Sequence, residues 1–242
     1  KNAYRDPDSG KLKLKPGDYR WNYEELTDQV YIDHLNGIKS IGMQPCNEEG
    51  ETKYGIIDID PKNYINFDRK FIIDKIQEYK LPLIPILSKS GSIHLYIFMK
   101  KFVDAATLKS FLSNLLPLFK LKPETEIFPK QTQLTRDLER GGLRPGQFIN
   151  LPYFNKTERR ALNTDGTEFT LEQFIPLVES NLVHPDKLNK ITEGIDQAIY
   201  EGADEDFREG PPCLATLSTI MKDPKFDGKD RFMYNYHVFV KL

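Results

Sequence analysis

Asp58 and Asp60 stand two residues apart in Tyr54-Gly55-Ile56-Ile57-Asp58-Ile59-Asp60, a run that reads as a strand closed by Pro61. Alternate residues of a strand share a face, so the two carboxylates point one way while Ile57 and Ile59 point toward a core. Carboxylates ~6–7 Å apart along a strand repel one another unless a cation lies between them. A hard divalent ion prefers such oxygen ligands, and two of them can clamp the attacking and leaving oxygens of a phosphoryl or nucleotidyl transfer. An isolated Asp-x-Asp is commonly a turn cap or a solvated face. A third acid on another strand strengthens the metal reading, and Glu126, in Thr125-Glu126-Ile127-Phe128-Pro129-Lys130-Gln131, is the candidate. Glu124 has the same parity, and parity does not choose between them.

A second group lies in Ser88-Lys89-Ser90-Gly91-Ser92-Ile93-His94. Small hydroxyl residues and a glycine leave backbone N–H groups accessible, and turns of this kind form concave anion sites. Lys89 adds a point charge suited to phosphate. His94 opens the next strand, sharing a face with Tyr96 and Phe98. The bland reading is a polar hairpin with a partly exposed histidine, and the functional one is a cradle for a triphosphate. Chemistry of that kind needs positioning and charge stabilisation more than an enzyme nucleophile.

The elements that must position these groups follow from periodicity. Polar, turn-rich residues up to about 35 suggest a loop or hairpin entering a helix at 23–35. Strands are expected at 38–45, 54–60, 83–87 and 93–99, with a helix at 67–79 on Phe67, Phe71, Ile72, Ile76 and Tyr79. Asp104 is placed to cap a helix carrying Leu108, Phe111, Leu112 and Leu115. Short strands follow at 124–128 and 147–151. Beyond residue 165 the pattern turns helical, with Thr170 and Gln173 as a capping box and further helices at 185–200, 211–221 and 230–240, the last rich enough in aromatics to read as a strand instead. The expected organisation is a mixed α+β domain over residues 1–165 and a smaller helical domain over 166–242.

The bulk numbers fit a folded chain. Of 242 residues, 39% are hydrophobic and 29% charged, a balance unlike that of a disordered chain. No apolar run approaches the ~20 residues of a membrane span. The chain opens on Lys1 with no signal-peptide pattern, so a trimmed domain and a cytoplasmic setting are the expectations. The formal net charge of -2 gives no overall basic footprint for a polyanion, although local basic clusters occur at 11–15, 100–101 and 159–160. Two cysteines, Cys46 and Cys213, are too few and too far apart for a paired-cysteine zinc site or a disulfide framework.

Four pieces in order, Asp58-x-Asp60, Ser88-x-Ser90-Gly-x-x-His94, Glu126-Ile-Phe-Pro-Lys-Gln131 and Phe148-Ile-Asn-Leu-Pro-Tyr153, resemble the archaeo-eukaryotic primase superfamily. The likeness is to the primase–polymerases of phages, plasmids and conflict systems, and it spans roughly residues 34 to 155, with His34-Leu35-Asn36-Gly37 as a lead-in. The resemblance implies an RRM-like antiparallel sheet with helices, joined to an N-terminal α/β module and followed by a small helical domain. It implies Asp58, Asp60 and Glu126 as ligands of two Mg²⁺ or Mn²⁺ ions. It implies Ser88, Lys89, Ser90 and His94 at the nucleotide phosphates, with Lys130 and Asn150 assisting, and no zinc. Single-stranded DNA template, dNTPs or NTPs and a replicative helicase, fused or separate, are the implied partners. The setting would be a host cytoplasm if the gene is viral or plasmid-borne. Gly210-Pro-Pro-Cys-Leu214 and Gly228…Arg231…Tyr234-Asn235 resemble the family's trailing helical domain. Two other classes compete: a replication-initiator nuclease, against which stands Tyr96 where a second histidine would be, and a non-catalytic module stacking bases on an aromatic-lined sheet.

Overall fold

The computed structural model describes residues 3–5, 12–14, 26–65, 67–88, 91–136, 144, 146–155 and 159–194. Lys89, Ser90, Cys213, the helices expected at 211–221 and 230–240 and the pieces resembling the trailing domain lie outside the described residues. The chain divides into two compact units, Lys1–Leu188 and Asn189–Leu242. The first unit is mixed α and β, consistent with an α+β fold.

The N-terminal segment forms a hairpin of β1 (Ala3–Arg5) and β2 (Leu12–Leu14). Helix α1 (Asp28–Leu35) follows, and β3 (Gly42–Met43) is shorter than the expected strand. The central sheet is built from β4 (Glu51–Ile59), β5 (Ile84–Leu87), β6 (Ile93–Asp104) and β7 (Glu126–Phe128), all antiparallel to their neighbours, in the order β5-β6-β4-β7. Helix α2 (Arg69–Glu78) links β4 to β5, and α3 (Ala105–Asn114) links β6 to β7. The connectivity is therefore βαββαβ. Strand β6 runs beyond the expected Met99 because β4 extends back to Glu51 and pairs with it as far as Asp104. The register shifts between Thr52 and Tyr54, and buried Thr52 bridges the irregularity: its Oγ1 donates to the Tyr54 carbonyl and accepts from the Tyr54 N–H.

One face of the sheet carries Ile57, Ile59, Leu95 and Ile97, all fully buried. Helix α3 packs there closely enough that a Cβ on Gly55 would stand 2.7 Å from Leu112 Cδ1 and 3.0 Å from Leu108 Cδ2. Asp104 caps α3 as expected, accepting from the Thr107 N–H at 2.7 Å. The opposite face bears Tyr96 and Phe98, stacked with ring centroids 5.6 Å apart. Over it lie Ile149 of β8 (Ile149–Asn150), Tyr153 and Phe174 of α4 (Leu171–Ser180). Strand β8 does not join the central sheet but pairs with β3. The capping box at Thr170 and Gln173 is present in both directions.

Candidate active site

Sheet register brings the candidate groups together. Asp58 pairs with His94 on one side and with Glu126 on the other, and His94 pairs in turn with Ile86. Residues directly opposite in a ladder share a face and lie about 4.5–5.5 Å apart. Glu126, Asp58 and His94 thus form one row across three strands. Glu124 lies in the turn before β7, so register separates the two acids that parity left equal.

Each carboxylate has a nitrogen-bearing neighbour. His94 Nε2 lies 3.2 Å from Asp58 Oδ1. Lys130 Nζ lies 2.8 Å from Glu126 Oε1, although that carboxylate is 55% exposed. Asp60 follows the last residue of β4, where its Oδ1 accepts from the Lys62 N–H at 3.1 Å and caps a short 3-10 turn, while Lys62 Nζ stands 3.7 Å away. Among the described residues no group of three or more His, Cys, Asp or Glu side chains converges closely enough to hold a metal ion. The chemistry of the donor set nevertheless suits one: Asp58 and Glu126 in register on adjoining strands and Asp60 just past the end of β4, all oxygen donors of the kind Mg²⁺ or Mn²⁺ prefers.

Beside this row, on the β6–β5 side, lies a cavity of about 160 Å³ lined by Asp58, Ser88, His94, Tyr96, Asn150 and Arg159 among others. Of the expected nucleotide-binding set, Ser88, His94 and Asn150 reach it. Lys130 is held at Glu126. Its backbone carbonyl accepts from Lys109 Nζ at 2.7 Å. Ser88 opens its turn by donating its N–H to the Ser92 carbonyl at 2.9 Å and accepting from Gly91 N–H at 3.2 Å. Gly91 has φ +82°, a left-handed conformation that glycine adopts at little cost.

Two positioning devices escaped the sequence reading. Gln44 and Gln131 accept the backbone N–H groups of Gly146 and Gln147, the latter at 2.7 Å, and so pin the approach to β8 and Asn150. Arg159, read in sequence only as half of a basic pair, is 8% exposed. Its guanidinium lies over the Phe154 ring and donates through Nη1 to Ser40 Oγ at 3.2 Å and the Leu151 carbonyl at 3.4 Å. A polar residue buried only by chain segments far away in sequence leaves no local signal.

His34 has a structural place. Its Nδ1 accepts from the Ile41 N–H at 3.2 Å, and its Nε2 donates to the Pro152 carbonyl at 2.9 Å. Burial lowers its pKa below the ordinary value; the Pro152 bond opposes this and the Arg159 charge reinforces it. The aromatic row beyond His94 is core rather than an open stacking platform, since Tyr96 is 3% exposed. Burial first, then Tyr54 and Asp58, push the Tyr96 hydroxyl well above a free phenol's range, which keeps it a neutral group rather than a nucleophile.

No described helix is long and apolar enough to cross a membrane. No curated protein matches the chain. Residues 5–185 match the family described as TOTE conflict system, Archaeo-Eukaryotic Primase domain, and that span contains the whole carboxylate row, the serine turn and the cavity. Membership in a primase family supports nucleotidyl transfer as the general chemistry of the site. With three quarters of its length matched and its acids in one sheet row, the chain belongs to the archaeo-eukaryotic primase domain family of TOTE conflict systems.

Proposed function

We propose that the chain is a template-directed nucleotidyltransferase, a DNA primase, a DNA polymerase or both, joining nucleotides on a single-stranded DNA template with release of pyrophosphate. The observation that carries this reading is the row Glu126–Asp58–His94 across β7, β4 and β6, opening onto a cavity bounded by the serine turn. The βαββαβ connectivity with order β5-β6-β4-β7 supports an RRM-like core.

Asp58, Asp60 and Glu126 would hold two divalent ions, which supply charge neutralisation at the attacking 3′-hydroxyl and the departing pyrophosphate. The chain's own groups do the rest. The 3′-hydroxyl gives its proton to water, its oxygen attacks the α-phosphorus, the bond to the α–β bridging oxygen breaks, and the electron pair leaves with pyrophosphate. Ser88, Lys89, Ser90 and His94 would keep the triphosphate in line for that displacement. Lys130 neutralises Glu126 until the site fills. Buried Tyr96, Ile86 and Ile149 form a dry wall in which these electrostatic contacts are stronger than in water. Asn150 faces the same cavity and would orient the nucleotide.

The test is synthesis on single-stranded DNA with labelled dNTPs or NTPs and Mg²⁺ or Mn²⁺, with and without an annealed primer, beside an Asp58→Ala/Asp60→Ala control. Products made only by the unsubstituted protein are expected, and primer-independent products would add priming to extension. Equal product from the double variant would overturn the assignment.

A further inference from the structure

The segment carrying Arg159 extends the central sheet. Ile86 of β5 bridges Ala161 in antiparallel fashion, Leu87 N–H donates to the Arg160 carbonyl at 2.9 Å, and Leu162 N–H donates to the Pro85 carbonyl at 2.8 Å. Continuing that register sets Arg159 opposite Ser88, the first residue of the serine turn. Because Ile86 also pairs with His94, and His94 with Asp58, Arg159 lies on the same sheet face as the carboxylates, at the far end of the cavity from Glu126.

The guanidinium is fixed there before any ligand arrives. Its Nη1 bonds to Ser40 and Leu151 and its stacking on Phe154 hold it from two segments, and the bond from Tyr153 N–H to the Arg159 carbonyl at 2.7 Å fixes the backbone that carries it. A planar, permanently charged fork held this way is suited to phosphate oxygens, and little side-chain entropy is left to lose on binding. The cavity, at about 160 Å³, is smaller than the roughly 300 Å³ or more of pockets that enclose a whole small ligand. It therefore fits one part of a nucleotide, and the convergence of Arg159 with the Ser88 turn and His94 suits the anionic part.

We propose that Arg159 is a nucleotide-binding residue that grips the triphosphate tail of the incoming nucleotide opposite the serine turn. This rests on the nucleotidyltransferase reading of the same site. It adds a residue from outside the four motifs and makes the end of the β5 edge the place where a triphosphate is told from a nucleoside.

The full chain is compared with Arg159→Lys and Arg159→Gln in primer extension and in equilibrium binding of fluorescent dATP and of primed DNA. The expected result is a KM for dNTP raised about tenfold or more in Arg159→Gln and less in Arg159→Lys, with kcat within about threefold and DNA affinity unchanged. A dNTP KM within about twofold of the unsubstituted value in a folded Arg159→Lys protein would overturn the assignment. So would equal weakening toward dATP and deoxyadenosine, or a matching loss of DNA affinity. If Arg159→Gln does not fold, the lysine variant decides. If the unsubstituted chain makes no product, the nucleotidyl-transfer reading fails, and dATP binding decides the inference separately. Binding that weakens in Arg159→Lys sustains it. Unchanged binding, or none by the unsubstituted chain, overturns it.

Discussion

Asp58 is the residue on which the candidate site turns, because it alone has an acid on one side and a histidine on the other in the same sheet row. Asp58→Asn keeps the shape and removes the charge. We expect it to abolish synthesis while stability to urea stays within about 1 kcal/mol, since the change is isosteric and the side chain, 24% exposed, keeps contact with solvent. Loss of the fold instead would make Asp58 a structural group. His34 gives the opposite case. It is 2% exposed and its pKa is lowered, with burial the leading cause. The unfolded chain therefore binds a proton more readily than the folded one. The full stability is present above the unfolded value near 6.5 and declines as pH falls through that value toward the lowered folded one. Thermal melting followed from pH 8 to 5 should show this decline, and a folded His34→Gln protein should show less of it. Identical slopes would place the pH sensitivity elsewhere.

Among the elements, the contact between β4 and α3 controls where the carboxylates sit. Gly55 lies under α3, and an added Cβ would also approach the Phe128 carbonyl to 3.2 Å. Leucine ends can move, but that carbonyl belongs to β7, the strand that carries Glu126. Gly55→Ala is expected to cost about 1–3 kcal/mol by overpacking and to reduce synthesis by shifting β7 against β4. Urea denaturation and extension assays would read the two effects, and an unchanged protein in both would show that α3 yields freely. The cap at α4 is a milder lever. Thr170→Ala should lower stability by about 1 kcal/mol, without altering chemistry, because the capping box lies on the helix end and not in the cavity.

At the scale of the compact unit Lys1–Leu188, the sheet face bearing Tyr96 is closed by segments from far down the chain. Phe174 meets Tyr153 at 4.8 Å and Phe98 at 6.4 Å between ring centroids. Val183 takes the edge of β6 beyond the end of β5, exchanging hydrogen bonds with Phe98 and Lys100. Phe174→Ala is expected to cost about 3–5 kcal/mol. A chain ending at residue 188 should melt cooperatively, whereas one ending at 165 would lose this cover and bind a hydrophobic dye. Equal melting of the two would show that α4 is an ornament of the unit rather than part of its core.

Local chemistry made much of this protein legible in its sequence. The alternation Ile57, Asp58, Ile59, Asp60 set which face was core and which was charged, because strand side chains alternate without regard to what lies above them. Caps at Asp104 and Thr170 were equally readable, since each satisfies backbone groups within one turn. The order of motifs pointed to the primase family, and the match over residues 5–185 agrees with it. Tertiary structure decided what depends on pairing between distant segments. Register chose Glu126 over Glu124 as the partner in the Asp58 row. Strand β8 went to β3 rather than to the central sheet, as a two-residue strand carries too little pattern to name its partner. Arg159 became part of the cavity wall only because residues 159–162 add to the edge of β5. An arginine beside another arginine has no periodicity that announces burial, and only the strands and the ring that enclose it do so.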